Sequence, residues 1–295
     1  MVKVLVTGAS GQVGKEILKL APADLEVVGY SSSELDVTNT ERVEQIINEQ
    51  SPDLVINAAA FTAVDKAESE IEHAYAVNEF GVKNLAGACQ LHSIPLFHIS
   101  TDYVFDGDNQ TSYKESDPVG PTGVYGASKL AGEQLLRDAS VKHITLRTSW
   151  VFGAEGHNFV KTMIRLANER DQLAVVSDQY GCPTSARSIA SVLWCFAQKF
   201  FVSGDLPWGT YHFCNSPMTT WYDFAEEIIA QACSHNLIAQ KPLVKRISTF
   251  EYPTPAKRPS NSALDCTLIE STLGITVPEW KVELSRVLTA LTSEL

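Results

Sequence analysis

The chain has 295 residues, of which 44% are hydrophobic and 20% are charged, and this composition is typical of a globular protein with a substantial core. The formal net charge of −12 argues against broad binding to nucleic acid or to an anionic membrane surface, because both would be repelled over most of the surface. Six cysteines occur without a Cys-x-x-Cys pair or a metal-ligand motif. The sequence therefore predicts a cytoplasmic protein with reduced thiols and no metal site.

The first half of the chain alternates short β-branched runs with helical patterns, which is typical of a parallel sheet covered by helices on both faces. Buried strands are predicted at 3–7, 26–30, 54–57, 96–100 and 143–147. Thr38 and Glu41 predict a capping box before the second helix. Proline and glycine become denser after about residue 150. We therefore predict an α/β Rossmann-type doubly wound parallel sheet over 1–150, which later segments can rejoin, and a smaller C-terminal lobe over 151–295.

A glycine-rich loop lies directly between the first predicted strand and the first predicted helix. It has the form G-x-x-G-x-x-G, with glycines at Gly8, Gly11 and Gly14. Glycines permit a tight turn and let the backbone approach a pyrophosphate, while the N-terminus of the helix supplies N–H donors and a partial positive charge. The loop therefore predicts a dinucleotide-binding site.

The end of the second predicted strand determines which dinucleotide is preferred. An acid at this point would hold the ribose 2′-hydroxyl, but the chain has three serines at 31–33, and the nearest acids are Glu34 and Asp36. Three hydroxyls can donate to a 2′-phosphate. The sequence therefore allows NADPH or NADH and slightly favours NADPH. Asp36 and Val37 can line the adenine, or Asp36 can be a solvated turn acid.

Tyr125 and Lys129 are four residues apart, so one face of a helix carries both side chains. We expect the Lys129 ammonium to lower the pKa of the Tyr125 phenol, which would suit this tyrosine as a general acid. Thr101 lies just past the end of the fourth predicted strand, where ligands of open α/β sheets bind. Its hydroxyl can donate to a substrate carbonyl oxygen beside Tyr125. This set predicts the transfer of hydride from NAD(P)H to a carbonyl group.

Several nearby polar residues allow two interpretations. Asp102 either orients the substrate or caps the turn that follows it. Asn78 either supports the backbone of the active site or is a satisfied structural amide. The small residues at 57–60 would let the backbone lie close to the cofactor.

Six segments closely resemble the dTDP-4-dehydrorhamnose reductases, a family within the extended short-chain dehydrogenases. The segments are NAAA at 57–60, TAVDKAE at 62–68, STDYVF at 100–105, RTSW at 147–150, DQYG at 178–181 and RPSNS at 258–262. The resemblance runs from the first strand to about residue 280. It implies reduction of the 4-keto group of dTDP-4-dehydro-L-rhamnose to give dTDP-L-rhamnose, a donor for cell-surface polysaccharide.

The resemblance also implies roles for individual residues. The catalytic set would be Thr101, Tyr125 and Lys129, and the last two would also contact the cofactor. Other cofactor residues would be Gly8, Gly11, Gln12, Val13, Gly14, Asp36, Val37, Ala60, Phe61 and Thr62. Asp102 and Trp150 would touch the sugar. The C-terminal lobe would bind the nucleotide half, with Asn158, Phe159, Lys161 and Arg258 as candidates.

One departure concerns Mg²⁺, which bridges a dimer through acidic side chains in some members of this family. Glu16 lies where one ligand would be, but Arg187 stands where a second acid would be. A cation cannot ligate a metal, so a metal-linked dimer is disfavoured in this chain. Mg²⁺ is implied only by the resemblance, and both a monomer and a homodimer remain open.

Three other functions are compatible with parts of the pattern. A nucleotide-sugar dehydratase would need a glutamate directly after Thr101-Asp102, where this chain has Tyr103. An epimerase or another nucleotide-sugar reductase would share the same residues, and an epimerase would not consume its cofactor. Relatives also serve as non-catalytic regulatory subunits of methionine adenosyltransferase, a role that would not require the complete set of Thr101, Tyr125 and Lys129.

Overall fold

The computed structural model describes residues 1–139 and 141–293. Its strands are β1 (Lys3–Thr7), β2 (Glu26–Tyr30), β3 (Leu54–Asn57), β4 (Leu96–Thr101), β5 (His143–Thr148), β6 (Val151–Phe152), β7 (Gln172–Val176), β8 (Tyr180–Gly181), β9 (Thr184–Ser185), β10 (Gly209–His212), β11 (Thr219–Thr220) and β12 (Leu243–Ile247). Its α-helices are α1 (Gln12–Lys19), α2 (Thr40–Gln50), α3 (Val64–Ala67), α4 (Ile71–Tyr75), α5 (Gly81–Leu91), α6 (Val124–Asp138), α7 (Phe159–Glu169), α8 (Ala186–Ser203), α9 (Trp221–Ser234), α10 (Thr267–Leu273) and α11 (Trp280–Ser293). A π-helical turn covers Ala76–Phe80, and 3₁₀ turns cover Asp102–Val104 and Thr249–Glu251.

Six parallel strands form the central sheet in the order β10-β5-β4-β3-β1-β2. All five predicted strands are present, and β4 and β5 are each one residue longer than predicted. The prediction of a Rossmann-type doubly wound parallel sheet with a smaller C-terminal lobe is confirmed. The sequence did not identify β10, because its four residues lie in a stretch rich in proline and glycine that reads as a loop.

Alternating residues of β1 reach two different layers of helices, as the two-residue period of a strand requires. Val4 and Val6 belong to a core with Ile17 of α1 and Leu193 of α8. Leu5 points the other way, into a core formed with α2 and α5. The sheet is therefore buried on both faces, and α8, which covers one of them, comes from the second half of the chain.

The second lobe has its own core, built mainly from α7, α9 and α11 around the two-stranded parallel sheet β7-β12. Phe152, Phe224 and Leu284 are among its fully buried side chains. The division of the chain near residue 150 stays a prediction, since α8 and β10 lie beyond it and still pack with the central sheet.

The start of α2 differs from its prediction by one residue. Asn39 caps the helix, and its side chain accepts from the backbone N–H of Arg42. Thr38 instead donates its hydroxyl to Asp36 Oδ1 at 2.8 Å. The predicted Thr38–Glu41 capping box is therefore wrong, because Asp36 competes for the Thr38 hydroxyl. Within the described ranges, no helix is long and apolar enough to span a membrane.

Candidate active site

The glycine-rich loop joins β1 to α1 and has the geometry that a dinucleotide loop needs. Gly8 adopts φ +68°, which glycine tolerates without strain. A Cβ on Gly14 would lie 2.2 Å from the Gly8 carbonyl oxygen, so this close approach of helix to loop requires glycine. Gly11 is the N-cap of α1 and has no side chain to occupy the first N–H groups of the helix. These donors suit the pyrophosphate of a dinucleotide, so the loop fits NAD(P)H.

The loop also contacts the second lobe through Gln12. The Gln12 side-chain oxygen accepts from Asn158 Nδ2 at 2.9 Å. Asn158 additionally caps α7 by accepting from the Lys161 N–H, and it donates to the Gly153 carbonyl. The structure thus brings a predicted cofactor residue against a predicted substrate residue, at the junction of the two lobes.

The Glu34 carboxylate lies closer to the end of β2 than the sequence indicates. Glu34 folds back and accepts from the Ser31 N–H at 2.8 Å and from the Ser31 hydroxyl at 2.6 Å. These two hydrogen bonds lower the pKa of Glu34 and favour the charged form. The inference that no acid stands at this strand end is therefore wrong. Asp36, two residues further on, accepts from the Thr38 N–H and hydroxyl and closes a turn.

The segment after β3 contains Ala60, Phe61 and Thr62, and the buried Asn78 holds its backbone. The Asn78 side chain accepts from the Phe61 N–H at 2.9 Å and donates to the Phe61 carbonyl at 3.0 Å. The same amide nitrogen lies 3.0 Å from the hydroxyl of Ser128 on α6. Asn78 therefore supports both the predicted cofactor wall and the helix that carries Tyr125 and Lys129.

Thr101 and Tyr125 meet where β4 ends and α6 begins. Thr101 is the last residue of β4, and its hydroxyl lies near enough to the Tyr125 phenol to lower the pKa of that phenol. The Thr101 hydroxyl also donates to Asp102 Oδ1 at 2.9 Å. The ring of Tyr103 packs edge-on against that of Tyr125, with ring centroids 5.5 Å apart. The two hydroxyl groups thus lie near each other, and the Thr101 hydroxyl has to turn away from Asp102 before it can donate to a carbonyl oxygen.

The pKa of Tyr125 moves in the opposite direction to the predicted one. Burial raises this pKa, and the contact with Thr101 only partly offsets the effect. Lys129 does not contribute to this shift, and its Nζ donates instead to the Ile99 carbonyl at 2.7 Å. The expected lowering by Lys129 is therefore wrong for the protein alone. The phenol keeps its proton at neutral pH and is available as a donor.

Lys129 is almost fully buried, and desolvation lowers its pKa to about 8. Glu133, one turn further along α6, opposes this shift. Its carboxylate is paired with Arg147 on β5 at 2.7 Å and accepts from the Ser100 hydroxyl at 2.6 Å. Because Arg147 neutralises Glu133, burial remains the dominant influence on Lys129.

Asp102 has one carboxylate oxygen without a partner. Within the described residues, Oδ2 is buried and makes no hydrogen bond, whereas Oδ1 accepts from Thr101. Burial raises the pKa of Asp102 to about 6, and the neighbouring Ser262 and Thr101 hydroxyls offset part of this rise. A buried oxygen left unsatisfied beside Thr101 and Tyr125 favours a ligand hydroxyl as its partner. Of the two interpretations of Asp102, the structure favours orientation of a substrate.

Arg258 reaches this site from a loop of the second half of the chain. Its guanidinium donates to Asp65 at 2.6 Å and to the Tyr103 hydroxyl at 2.9 Å. The sequence did not single out Asp65, and only the packing of α3 against this loop identifies it. Arg258 is thus linked through Tyr103 to the ring of Tyr125.

The remaining predicted substrate residues lie at the beginning of α7 and beside it. Trp150 adopts φ +45° and stacks on Trp221, with ring centroids 3.5 Å apart. Phe159 packs on Trp221, with ring centroids 4.6 Å apart. Lys161 donates to the Ala154 carbonyl at 2.8 Å. In the described part of the chain, none of the hydrogen bonds of these residues reaches Thr101, Tyr125 or Lys129.

His98 is a residue of this site that sequence reasoning missed. It is fully buried on β4, two residues before Ser100, and it contacts Lys129. The sequence contained a signal for His98, because polar residues at alternate positions of a buried strand share one face and need polar partners. Here those partners are Lys129 and Glu133 of α6.

The residues around Glu16 do not fit the Mg²⁺ that the family resemblance implies. Glu16 and Glu283 line one cleft of about 310 Å³ together with the cations Lys19, Arg187 and Arg286. Glu283 is already engaged with Ser185 and Arg286. No cluster of three metal-ligating side chains occurs among the residues that the structure describes. Cations in the lining would repel a divalent metal.

Comparison with known proteins identifies the family of this chain. Residues 2–293 match the family model described as the RmlD substrate binding domain. The chain is 48% identical over 289 residues to the dTDP-4-dehydrorhamnose reductase of Aggregatibacter actinomycetemcomitans, covering 97% of this chain and 98% of that protein.

Two solved structures are also similar along almost their whole length. A dTDP-4-dehydrorhamnose reductase of Clostridium acetobutylicum superimposes with a TM-score of 0.91 at 40% identity, covering 98% of this chain and 99% of that chain. The corresponding enzyme of Bacillus anthracis, in complex with NADP, superimposes with a TM-score of 0.90 at 37% identity, covering 98% of this chain and 100% of that chain. The chain therefore belongs to the dTDP-4-dehydrorhamnose reductase family.

Proposed function

We propose that this protein is an NAD(P)H-dependent oxidoreductase that reduces the 4-keto group of dTDP-4-dehydro-L-rhamnose to give dTDP-L-rhamnose. The observation that carries the proposal is the closeness of the Thr101 and Tyr125 hydroxyls at the carboxyl end of β4, on the same side of the parallel sheet as the glycine-rich loop that follows β1. The similarity to relatives named for this reaction supports the choice of substrate. The NADP complex of one such relative supports the choice of cofactor class.

The proposed chemistry divides between the cofactor and the chain. Bound NAD(P)H supplies the hydride that attacks the carbonyl carbon. Tyr125 donates its phenolic proton to the carbonyl oxygen, and Thr101 donates a hydrogen bond to the same oxygen as negative charge develops there. Lys129 replenishes the proton and holds the ribose hydroxyls. Gly8, Gly11 and Gly14 with the start of α1 bind the pyrophosphate.

For the substrate, we assign the unpartnered oxygen of Asp102 to a sugar hydroxyl. Trp150 would contact the sugar, and Asn158, Phe159 and Lys161 would contact the nucleotide half. Arg258 would bind the diphosphate, which requires it to exchange Asp65 for a phosphate oxygen. Charge-assisted, bidentate contacts with phosphate are the interactions that a guanidinium makes best.

The direct test is incubation of the purified protein with dTDP-4-dehydro-L-rhamnose and either NADPH or NADH. Loss of absorbance at the nicotinamide band should match product formation one to one, and NMR of the product identifies its stereochemistry. An epimerase would convert substrate without net loss of reduced cofactor. No turnover with either cofactor would refute the proposal. The cytoplasmic location stays a prediction from the sequence.

A further inference from the structure

A chain of buried hydrogen bonds connects β3, β4 and the catalytic lysine. His98 Nε2 lies 3.3 Å from Lys129 Nζ. The other ring nitrogen, Nδ1, lies 3.0 Å from Asn57 Nδ2. Asn57, His98 and Lys129 are each at most 1% exposed. The direction of each hydrogen bond in this chain can be deduced from its fixed end.

That fixed end is the side-chain oxygen of Asn57. It accepts from the backbone N–H of Ala59 at 3.0 Å and from the Thr7 hydroxyl at 2.7 Å. A backbone N–H can only donate, so the atom it meets must be the amide oxygen. The amide nitrogen of Asn57 therefore faces His98 and donates to Nδ1.

This direction fixes the proton of His98. Burial lowers the pKa of His98 well below its ordinary value, so the ring is neutral and carries one N–H. Nδ1 accepts from Asn57, which leaves the hydrogen on Nε2, facing Lys129. An ammonium group has three donors and no acceptor. Only a neutral amine can accept from the His98 N–H while donating to the Ile99 carbonyl.

We propose that Asn57 and His98 are positioning residues that favour the neutral amine form of Lys129 in the protein before ligands bind. The protonation assignment stands on hydrogen-bond geometry, and its catalytic consequence rests on the proposed reductase function. In that function, Tyr125 loses one proton to the product in each cycle. A lysine that readily occupies both forms can take a proton from water and pass it toward the phenolate, whereas a permanent ammonium cannot take one up.

The charged groups around Lys129 are compatible with this role. On α6, Glu133 favours the ammonium, but Arg147 of β5 is paired with it at 2.7 Å. His143, also on β5, is the other titratable group that affects His98, and burial lowers its pKa as well. Asn57 on β3 is uncharged. Desolvation lowers the pKa of Lys129 to about 8, in the direction that the hydrogen-bond chain requires.

The test is an NMR titration of Lys129 in the intact protein, labelled with ¹³C at the lysine side chains and assigned by comparison with Lys129→Met. Asn57→Asp presents an acceptor to Nδ1, so the proton of His98 should move there and expose a lone pair to Nζ. His98→Gln offers an amide oxygen to Nζ without adding charge. We expect both variants to raise the pKa of Lys129 by at least about one pH unit, a tenfold shift toward ammonium.

Thr7→Val is the matched control, because it removes a contact of Asn57 while the Ala59 N–H still orients the amide, and it should leave the titration of Lys129 unchanged. Should the variants fail to fold, a ¹H–¹⁵N spectrum of histidine in the unmodified protein still decides the question by showing which nitrogen of His98 is protonated. A proton on Nδ1, or a Lys129 pKa that neither variant moves, would overturn the proposal. Neither measurement needs substrate or turnover, so failure of the proposed reductase function would leave this result standing.

Discussion

The catalytic and substrate-binding regions of this molecule are held in different ways. Tyr125 and Lys129 sit on one helix, and buried hydrogen bonds from β3, β4 and β5 fix their surroundings. The candidate substrate residues of the second lobe are held by a helix cap and by stacked aromatic rings. The proposed chemistry therefore depends on buried groups around one helix, whereas the proposed substrate contacts depend on how one lobe meets the other.

Removing the proposed proton donor tests the first of these two regions most directly. Tyr125→Phe keeps the ring that packs on Tyr103 but loses the donor, so kcat should fall by a factor of roughly 10² to 10⁴ with little change in cofactor affinity. Steady-state kinetics and cofactor titration measure the two quantities. Tyr211→Phe makes the same change at a buried tyrosine on β10, outside the site, and should retain turnover. Wild-type kcat in Tyr125→Phe would remove this tyrosine from the mechanism.

A second prediction concerns the energetic cost of burying Asp102. Its pKa is about 6 in the folded protein and 3.8 ordinarily, so the folded state binds the proton more tightly and stability must fall as pH rises from about 4 to about 6. The loss amounts to about 3 kcal/mol in the free energy of unfolding. Denaturant unfolding of wild type and Asp102→Asn across this range measures it.

In Asp102→Asn the loss between pH 4 and 6 should disappear. Asp106 should affect stability in the opposite direction. The Tyr113 hydroxyl lowers the pKa of Asp106, so the stability that its charged form contributes is lost as pH falls. If the free energy of unfolding changes with pH in the same way in wild type and Asp102→Asn, burial of Asp102 does not have this cost.

Arg258 tests whether the second region acts in binding alone. Arg258→Ala should weaken dTDP binding and raise KM for the dTDP-sugar by roughly 10- to 100-fold, since it removes a charge-assisted contact. The cofactor Kd should not change. Calorimetric titration with dTDP checks the first expectation. Asp65→Asn frees the guanidinium from its ion pair and should bind dTDP at least as tightly as wild type, and equal dTDP affinity in Arg258→Ala would mean that the diphosphate is held elsewhere.

The smallest expected effect is on cofactor choice. Glu34→Gln removes the carboxylate at the end of β2, so the preference for NADPH over NADH should rise roughly threefold, as expected for an exposed charge in screened solution. The ratio of kcat/KM for the two cofactors measures this. Glu41→Gln changes an acid in the first turn of α2 and serves as the control. If the ratio of kcat/KM for the two cofactors changes equally in Glu34→Gln and Glu41→Gln, the change reflects net charge and not the position of Glu34.

Local motifs made the sheet and the catalytic set predictable. The glycine loop, Thr101, Tyr125 and Lys129 each depend on neighbours within a few residues, and the structure brings them to one edge of the sheet. Contacts between distant segments were not predictable: Asp65 with Arg258 spans 193 residues, and the protonation of Lys129 depends on a hydrogen-bond chain that begins on β3. The pKa of Tyr125 was predicted with the wrong sign because burial, which a sequence pattern does not measure, raises it, and Lys129 does not contribute.

Helix α8 and strand β10 lie beyond residue 150 in the chain but contact the central sheet. This limits where the chain can be divided into fragments that fold. A fragment ending near residue 150 would leave β5 as an unpaired edge and would strip Ile189, Leu193 and Phe196 from the face formed by Val4 and Val6. Exposed edges and apolar faces of this kind promote association between chains. The fragment that ends near residue 150 should therefore aggregate when expressed alone. A permuted or split version of the protein should fold only if α8 and β10 stay in the same piece as the strands they contact.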